Sequence, residues 1–272
     1  MDGADKLSER VTGWLRDQGY PFEMRTAREL RRKGIAAHLG QYYTDIETGQ
    51  QRETDVCAFV ERREDHGLRG RSVCGHLVIE CKSARDKPWI LFTDEQRSRF
   101  RRAYADQRFA IPNNKWLSPV GKQTWKAGPV PLLEGYRPFG YTLVRAFGNG
   151  NDDVAYGAVM SVAKAAAGLR NKYAADADTL GVAIRAVVLP VLLVDAPLFQ
   201  CELDDEGQER LTSIDRGTLV WRYQLGPDLP KETLVSVVTT SALSALADDL
   251  KLTVDSLRRA ERDPSSVVLG RS

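Results

Sequence analysis

The longest apolar run in the chain, Val187 to Phe199, is interrupted by Pro190, Asp195 and Pro197. It falls well short of the roughly 20 residues that a membrane-spanning helix needs, so no membrane contact is expected. Its first part, Val187 to Val194, has the length and continuity of a buried strand. The chain therefore has to build a sheet around at least one strand that water does not reach. Of its 272 residues, 42% are hydrophobic and 28% charged, which excludes wholesale disorder and collagen-like or mucin-like chains and suffices for a sizeable core.

Helical and strand periods alternate along the chain. Leu7, Val11, Trp14 and Leu15 form one apolar stripe of an amphipathic helix. A second helix starts near Pro21 and closes at Gly34, with Phe22, Ala27 and Leu30 on its apolar side and Arg25, Arg28, Arg31, Arg32 and Lys33 making another side basic. Strands are expected at about 35–44, 52–61 and 76–82. The first two are joined by a Thr48-Gly49 turn, the last two by an exposed polar loop from Arg62 to Gly75. In the second strand Val56, Ala58 and Val60 share one face, and Asp55, Cys57 and Phe59 the other. In the third, Leu77, Ile79 and Cys81 oppose Val78, Glu80 and Lys82. Thr93-Asp94-Glu95-Gln96 resembles a capping box for a helix through about Tyr104, and 111–150 reads as an irregular insertion. An Ala-rich helix is expected at about 154–175. Strands follow at 187–194, 198–203, 218–223 and 234–239, with Asp204-Asp205-Glu206-Gly207 turning between the second and third of these. Ser241 is expected to cap a final helix carrying Leu243, Leu246, Leu250, Val254 and Leu257.

Charge and cysteine usage narrow the partners. Residues 1–126 hold 24 Lys or Arg against 18 Asp or Glu, while residues 127–272 hold 15 against 19. A basic half that contains clustered carboxylates hints at an anionic partner, although a solvated surface produces the same balance. Cys57, Cys74, Cys81 and Cys201 show no Cys-x-x-Cys spacing, and His38, His66 and His76 complete no zinc pattern. Reduced thiols in a cytoplasmic protein are expected. The acidic start, Met1-Asp2-Gly3-Ala4-Asp5, has no apolar stretch behind it, so no secretory signal is expected.

One constellation carries chemistry. Asp55 begins a strand, and Glu80-Cys81-Lys82 ends the next, with 24 residues between the Asp and the Glu. Glu80 and Lys82 lie on one face of a strand, about 6–7 Å apart along it. If the two strands pair, one acid from each converges on a shared hard cation with a lysine beside it. Oxygen ligands of this kind suit Mg²⁺ or Mn²⁺, which accept phosphate oxygens and activate water. Glu80 follows Leu77-Val78-Ile79, and a charge at the end of so apolar a strand tends to be paired or functional.

These residues resemble the PD-(D/E)xK nucleases, the restriction-endonuclease-like fold, in its Mrr-type branch. The resemblance rests on Gly19-Tyr20-Pro21-Phe22-Glu23-Met24 followed by Gly34, on Arg52-Glu53-Thr54-Asp55-Val56, and on Leu77-Val78-Ile79-Glu80-Cys81-Lys82. Thr54 stands where that family usually has Pro. The resemblance implies an α/β fold, a mixed sheet flanked by helices. It implies a single elaborated nuclease domain over 1–272: motifs at 20–82, core completion at about 154–194, an insertion at 83–150 and a C-terminal β/α extension at 196–272. It also implies Asp55 and Glu80 as metal ligands, Lys82 as the catalytic lysine and Glu23 as a helix carboxylate that helps hold Mg²⁺ (or Mn²⁺) or its water. Glu29, on the same helix but roughly 120° away, is the rival for that last role.

The expected activity is metal-dependent hydrolysis of DNA phosphodiesters by an endonuclease of a restriction or anti-phage type. A protein partner in a defence system and a homo-oligomer are both compatible with it. The alternative is a non-cleaving nucleic-acid-binding or assembly subunit on the same fold. Trp89 stacking on a base is a weaker expectation than Trp89 packed under the insertion. Arg97, Arg99, Arg101 and Arg102 are expected to reach a phosphate backbone only in part.

Overall fold

The computed structural model describes residues 2–16, 18–64, 71–83, 86–94, 109–110, 129–148, 153–180, 184–225 and 231–262. Two helices come first, α1 (Asp2–Arg16) and α2 (Tyr20–Arg32), the second with Pro21 in its first turn. Gly34 ends α2 at φ +71°. That left-handed turn lets the Ile35 N–H reach back to the Leu30 carbonyl at 3.0 Å and the Gly34 N–H to that of Arg31 at 2.9 Å, which uses up two orphan carbonyls of the last turn.

A three-stranded antiparallel meander follows: β1 (Ala36–Thr44), β2 (Gln51–Glu64) and β3 (Arg71–Ser83). The β1–β2 turn is organised by buried Asp45, whose Oδ1 accepts the N–H groups of Glu47 and Thr48. The remaining elements are β4 (Trp89–Thr93), β5 (Phe109–Ala110), the short α3 (Pro131–Glu134), β6 (Phe139–Arg145), α4 (Val154–Leu180), β7 (Ile184–Asp195), β8 (Leu198–Leu203), β9 (Glu209–Ile214), β10 (Arg216–Trp221), β11 (Thr233–Thr239), a 3₁₀ turn (Thr240–Ala242) and α5 (Leu243–Arg262).

Among the described residues the strands form one mixed sheet in the order β1-β2-β3-β7-β11-β10-β6-β4-β8-β9, while β5 pairs with the early part of β7 before β11 joins it. β3, β7 and β11 are mutually parallel, with Lys82 opposite Val194 and Ser83 opposite Asp195. A parallel pair of this kind needs helical cover on both faces, and both are covered. On one face α2 and α5 pack over Val56, Ala58, Leu77, Ile79, Leu189 and Leu193. On the other α4 packs over Cys57, Val78, Val188, Leu192 and Val237. Each fully buried Leu or Ile contributes about 1.5–3 kcal/mol, so this double-sided core holds the central strands rigidly. Gly168 allows α4 to come close: a Cβ there would lie 2.5 Å from the Thr44 carbonyl oxygen. The chain is thus mixed α/β, a mixed sheet between helices.

The strand faces expected from alternation are the observed ones, and all four cysteines are buried free thiols. Several expectations need correction. The polar segment 62–75 is largely strand: β2 runs on to Glu64 and β3 starts at Arg71, in register as far as Glu64 opposite Arg71. Strand edges on a long ribbon tolerate charge, and charge hid them. The stretch 111–150 is not wholly irregular, since β6 and α3 lie in it. Asp204 does turn a hairpin, but into β9, whose residues are almost all exposed and carry no apolar alternation. Ser241 caps nothing; its hydroxyl donates to Asp215 Oδ1 at 2.7 Å, and α5 begins after a 3₁₀ turn. Trp89 is fully buried, which removes base stacking as its role. Thr93 ends β4; the helix expected after it and Arg97, Arg99, Arg101 and Arg102 lie outside the described residues. No described helix is long and apolar enough to cross a membrane.

Candidate active site

β2 and β3 run as a ladder down to Val56 opposite Ile79 and then part. β2 continues to Gln51 against β1, and β3 continues to Ser83 against β7. Asp55 and Glu80 are the first residues beyond the fork, one on each strand. There the Asp55 carboxylate stands in for a backbone acceptor: its Oδ2 takes the Cys81 N–H at 2.7 Å. The fork brings together the two acids that the sequence placed on neighbouring strands.

Glu80 is buried, and both of its oxygens are held. Oε1 accepts the Lys82 ammonium at 2.5 Å, and Oε2 accepts the Ser161 hydroxyl at 2.8 Å. The first contact follows from period two along β3. The second arises because α4 covers the face of the sheet to which Glu80 points. Ser161 is a neighbour of Glu80 that the sequence does not single out. It lies 81 residues from Glu80 inside an alanine-rich helix, and no local pattern sets it apart.

Glu23 lies in the first turn of α2, half-buried. Burial raises its pKa, and the charges of Glu53 and Glu80 raise it further, against a lowering by Lys82. Glu23 therefore belongs to the same electrostatic cluster as Glu80 and Lys82. Glu29 does not. It pairs with Arg32 at 3.6 Å and lines a cleft beside Asp195 and Thr240. Of the two rivals on α2, Glu23 is the one that joins the acids.

The cluster is electrostatically loaded. Burial and then the Glu80 carboxylate push the Asp55 pKa up to about 7, with Glu23 adding to the rise and the Cys81 N–H and Lys82 opposing it. Burial pulls Lys82 down, but the charge and hydrogen bond of Glu80, helped by Asp55, outweigh it and leave the lysine pKa above its ordinary value. Lys82 is accordingly a fixed ammonium at neutral pH.

Among the described residues no three His, Cys, Asp or Glu side chains are grouped as a ready-made metal cage. Mg²⁺ commonly uses one or two carboxylates and completes its shell with water and phosphate oxygens. Asp55 and Glu80 offer two hard carboxylates at the mouth of the fork, with the ionised form of Asp55 suppressed first by burial and then by the Glu80 charge. A divalent cation is the species that would relieve this crowding.

Comparison of the chain with protein-family models gives no match, and comparisons with curated proteins and with solved structures give none either. The fold and the site geometry alone therefore bear on function.

Proposed function

We propose that the protein is a metal-dependent phosphodiesterase acting on DNA, an endonuclease of a restriction or anti-phage type, on a restriction-endonuclease-like core within one elaborated domain. The observation that carries this reading is the fork at Asp55 and Glu80, with Lys82 on the Glu80 carboxylate. The topology supports it: an antiparallel meander, then a crossover through α4 to a strand parallel to β3.

Asp55 and Glu80 would hold Mg²⁺ or Mn²⁺, with Glu23 at its water side. The bound ion would lower the pKa of a water and offset phosphate charge. The chain's own groups do the rest. Ser161 fixes one oxygen of Glu80, which leaves that carboxylate a defined direction. The Cys81 N–H does the same for Asp55. Lys82, held protonated by Glu80, is suited to orient the attacking water and to balance charge on the phosphate, and unsuited to act as the base. In the reaction a water oxygen would bond to phosphorus as its proton is released to solvent, one P–O ester bond would break, and the departing alkoxide would take up a proton from solvent.

The test is incubation of the purified protein with plasmid DNA and Mg²⁺ or Mn²⁺. Wild type should nick or cut the plasmid, and Lys82→Ala should not. An intact plasmid with every metal, or equal cutting by Lys82→Ala, would refute the reading.

A further inference from the structure

β4 and β6 pair antiparallel, and Trp89 at the start of one stands directly opposite Arg145 at the end of the other. Residues so placed have Cα atoms about 4.5–5.5 Å apart and send their side chains to the same face of the sheet. The next pair inward, Leu91 opposite Leu143, identifies that face: both pack with Trp89 in the apolar cluster under α4. Arg145 therefore turns toward the α4 side, next to the Trp89 indole. It is half-buried, so the pair runs from the surface into the core.

Each of the two side chains carries a buried donor that the fold does not use. Trp89 is 0% exposed, and its Nε1 has no hydrogen-bond partner among the described residues. The same holds for Arg145 Nε, and no ion pair engages its guanidinium among the described residues. Buried donors in folded proteins are nearly always paired, so two adjacent ones without a protein acceptor point to a ligand. The backbone beside them is fixed: the Trp89 N–H donates to the Pro197 carbonyl and the Ala146 N–H to the Pro88 carbonyl, each at 2.8 Å. The donors are thus held in place ahead of binding. A water between them would accept twice but keep two hydrogens of its own, and the side chains of Leu91, Leu143, Ala155 and Ala158 offer nothing to take them. An oxyanion has only acceptor sites there and balances the guanidinium, whose planar donors match its oxygens.

We infer that Trp89 and Arg145 form an oxyanion-binding site that takes a phosphate group between the indole N–H and the guanidinium. The site stands on the donor pair; naming phosphate as the oxyanion rests on the phosphodiesterase reading above, whose substrate carries it. Free phosphate and a nucleic-acid backbone present the same oxygens, and the experiment separates them.

The experiment follows the Trp89 indole N–H in ¹H–¹⁵N NMR spectra of the full chain, assigned by triple-resonance spectra, at constant ionic strength. Inorganic phosphate in place of chloride should move this proton downfield along a saturating curve. Arg145→Met should abolish the shift while the other indole signals stay where they are. A DNA duplex in Ca²⁺, which permits binding without turnover, is the second arm. If the backbone is the source, the duplex moves the same resonance, and in anisotropy Arg145→Met makes the slope of log K against log [salt] shallower by about 0.9, one phosphate contact. A response to phosphate alone keeps the site and assigns it to a free or small-molecule phosphate. A resonance unmoved by both, or moved equally in Arg145→Met, overturns the inference. A plasmid that stays intact in Mg²⁺ while the resonance follows phosphate removes the catalytic reading and leaves this site. A plasmid that is cut while the resonance stays still does the reverse.

Discussion

Replacing Asp55 by Asn should make the metal-free protein more stable at pH 8, against the usual direction of a substitution at a half-buried polar site. Asp55 ionises near 7 in the fold and near 3.8 when unexposed to it. Between those values the folded chain holds a proton that the unfolded chain has released, so stability falls as pH rises and stays low above 7. The ionised carboxylate then costs the fold up to about 4 kcal/mol. Asn keeps an acceptor for the Cys81 N–H but loses the extra strength of a charged acceptor, about 1 kcal/mol. The expected net gain is about 2–3 kcal/mol at pH 8, or roughly 4–8 °C in Tm. Thermal melts in EDTA at pH 4.5, 6 and 8 measure it, with the gain shrinking to near nothing at the lowest pH. Millimolar Mg²⁺ should raise the Tm of wild type and leave Asp55→Asn unmoved, because a ligand stabilises only a fold that binds it. A variant less stable than wild type by the same margin at all three pH values would refute the picture of a carboxylate held under electrostatic load.

Four other outcomes follow from the same geometry. Lys82→Ala should melt below wild type in metal-free buffer, since it leaves the buried Glu80 carboxylate without its cation, and should still bind Mn²⁺ in calorimetry while losing cleavage. Ser161→Ala should lower cleavage and weaken Mn²⁺ binding together, because one oxygen of Glu80 loses its donor; rescue by Ser161→Thr marks a positioning role. Glu23→Gln should impair plasmid cleavage in a Mg²⁺ titration, whereas Glu29→Gln should behave as wild type. His76 is buried between Phe59 and Tyr173, and burial lowers its pKa to about 4. It contributes stability that is present above about 6.5 and is lost as pH falls toward 4, so His76→Phe should flatten the acid side of the Tm profile.

The parts of the fold that the sequence shows are those where one physical rule dominates. β2 and β3 alternate cleanly because each face meets a different helix layer, and β7 is an unbroken apolar run because both of its faces are buried. The fork itself is legible as two acids on adjacent strands. What stays hidden depends on contacts between distant segments. Ser161 acquires meaning only when α4 lies over Glu80. β9 pairs through its backbone while its side chains face water, so no hydrophobic period marks it. The Leu7, Val11 and Trp14 stripe of α1 is a true helical pattern, yet its side chains are about half exposed, so the period predicts the helix and not its burial. Glu23 and Glu29 could not be ranked from spacing, and it is the packing of α2 against the sheet that separates them.

The shared-metal site is tested most directly by anomalous diffraction from crystals soaked in Mn²⁺. The predicted result is an anomalous peak within about 2.0–2.6 Å of one oxygen each from Asp55 and Glu80. A peak bound elsewhere, or none at the fork while Glu80 stays paired with Lys82 and Ser161, would contradict it.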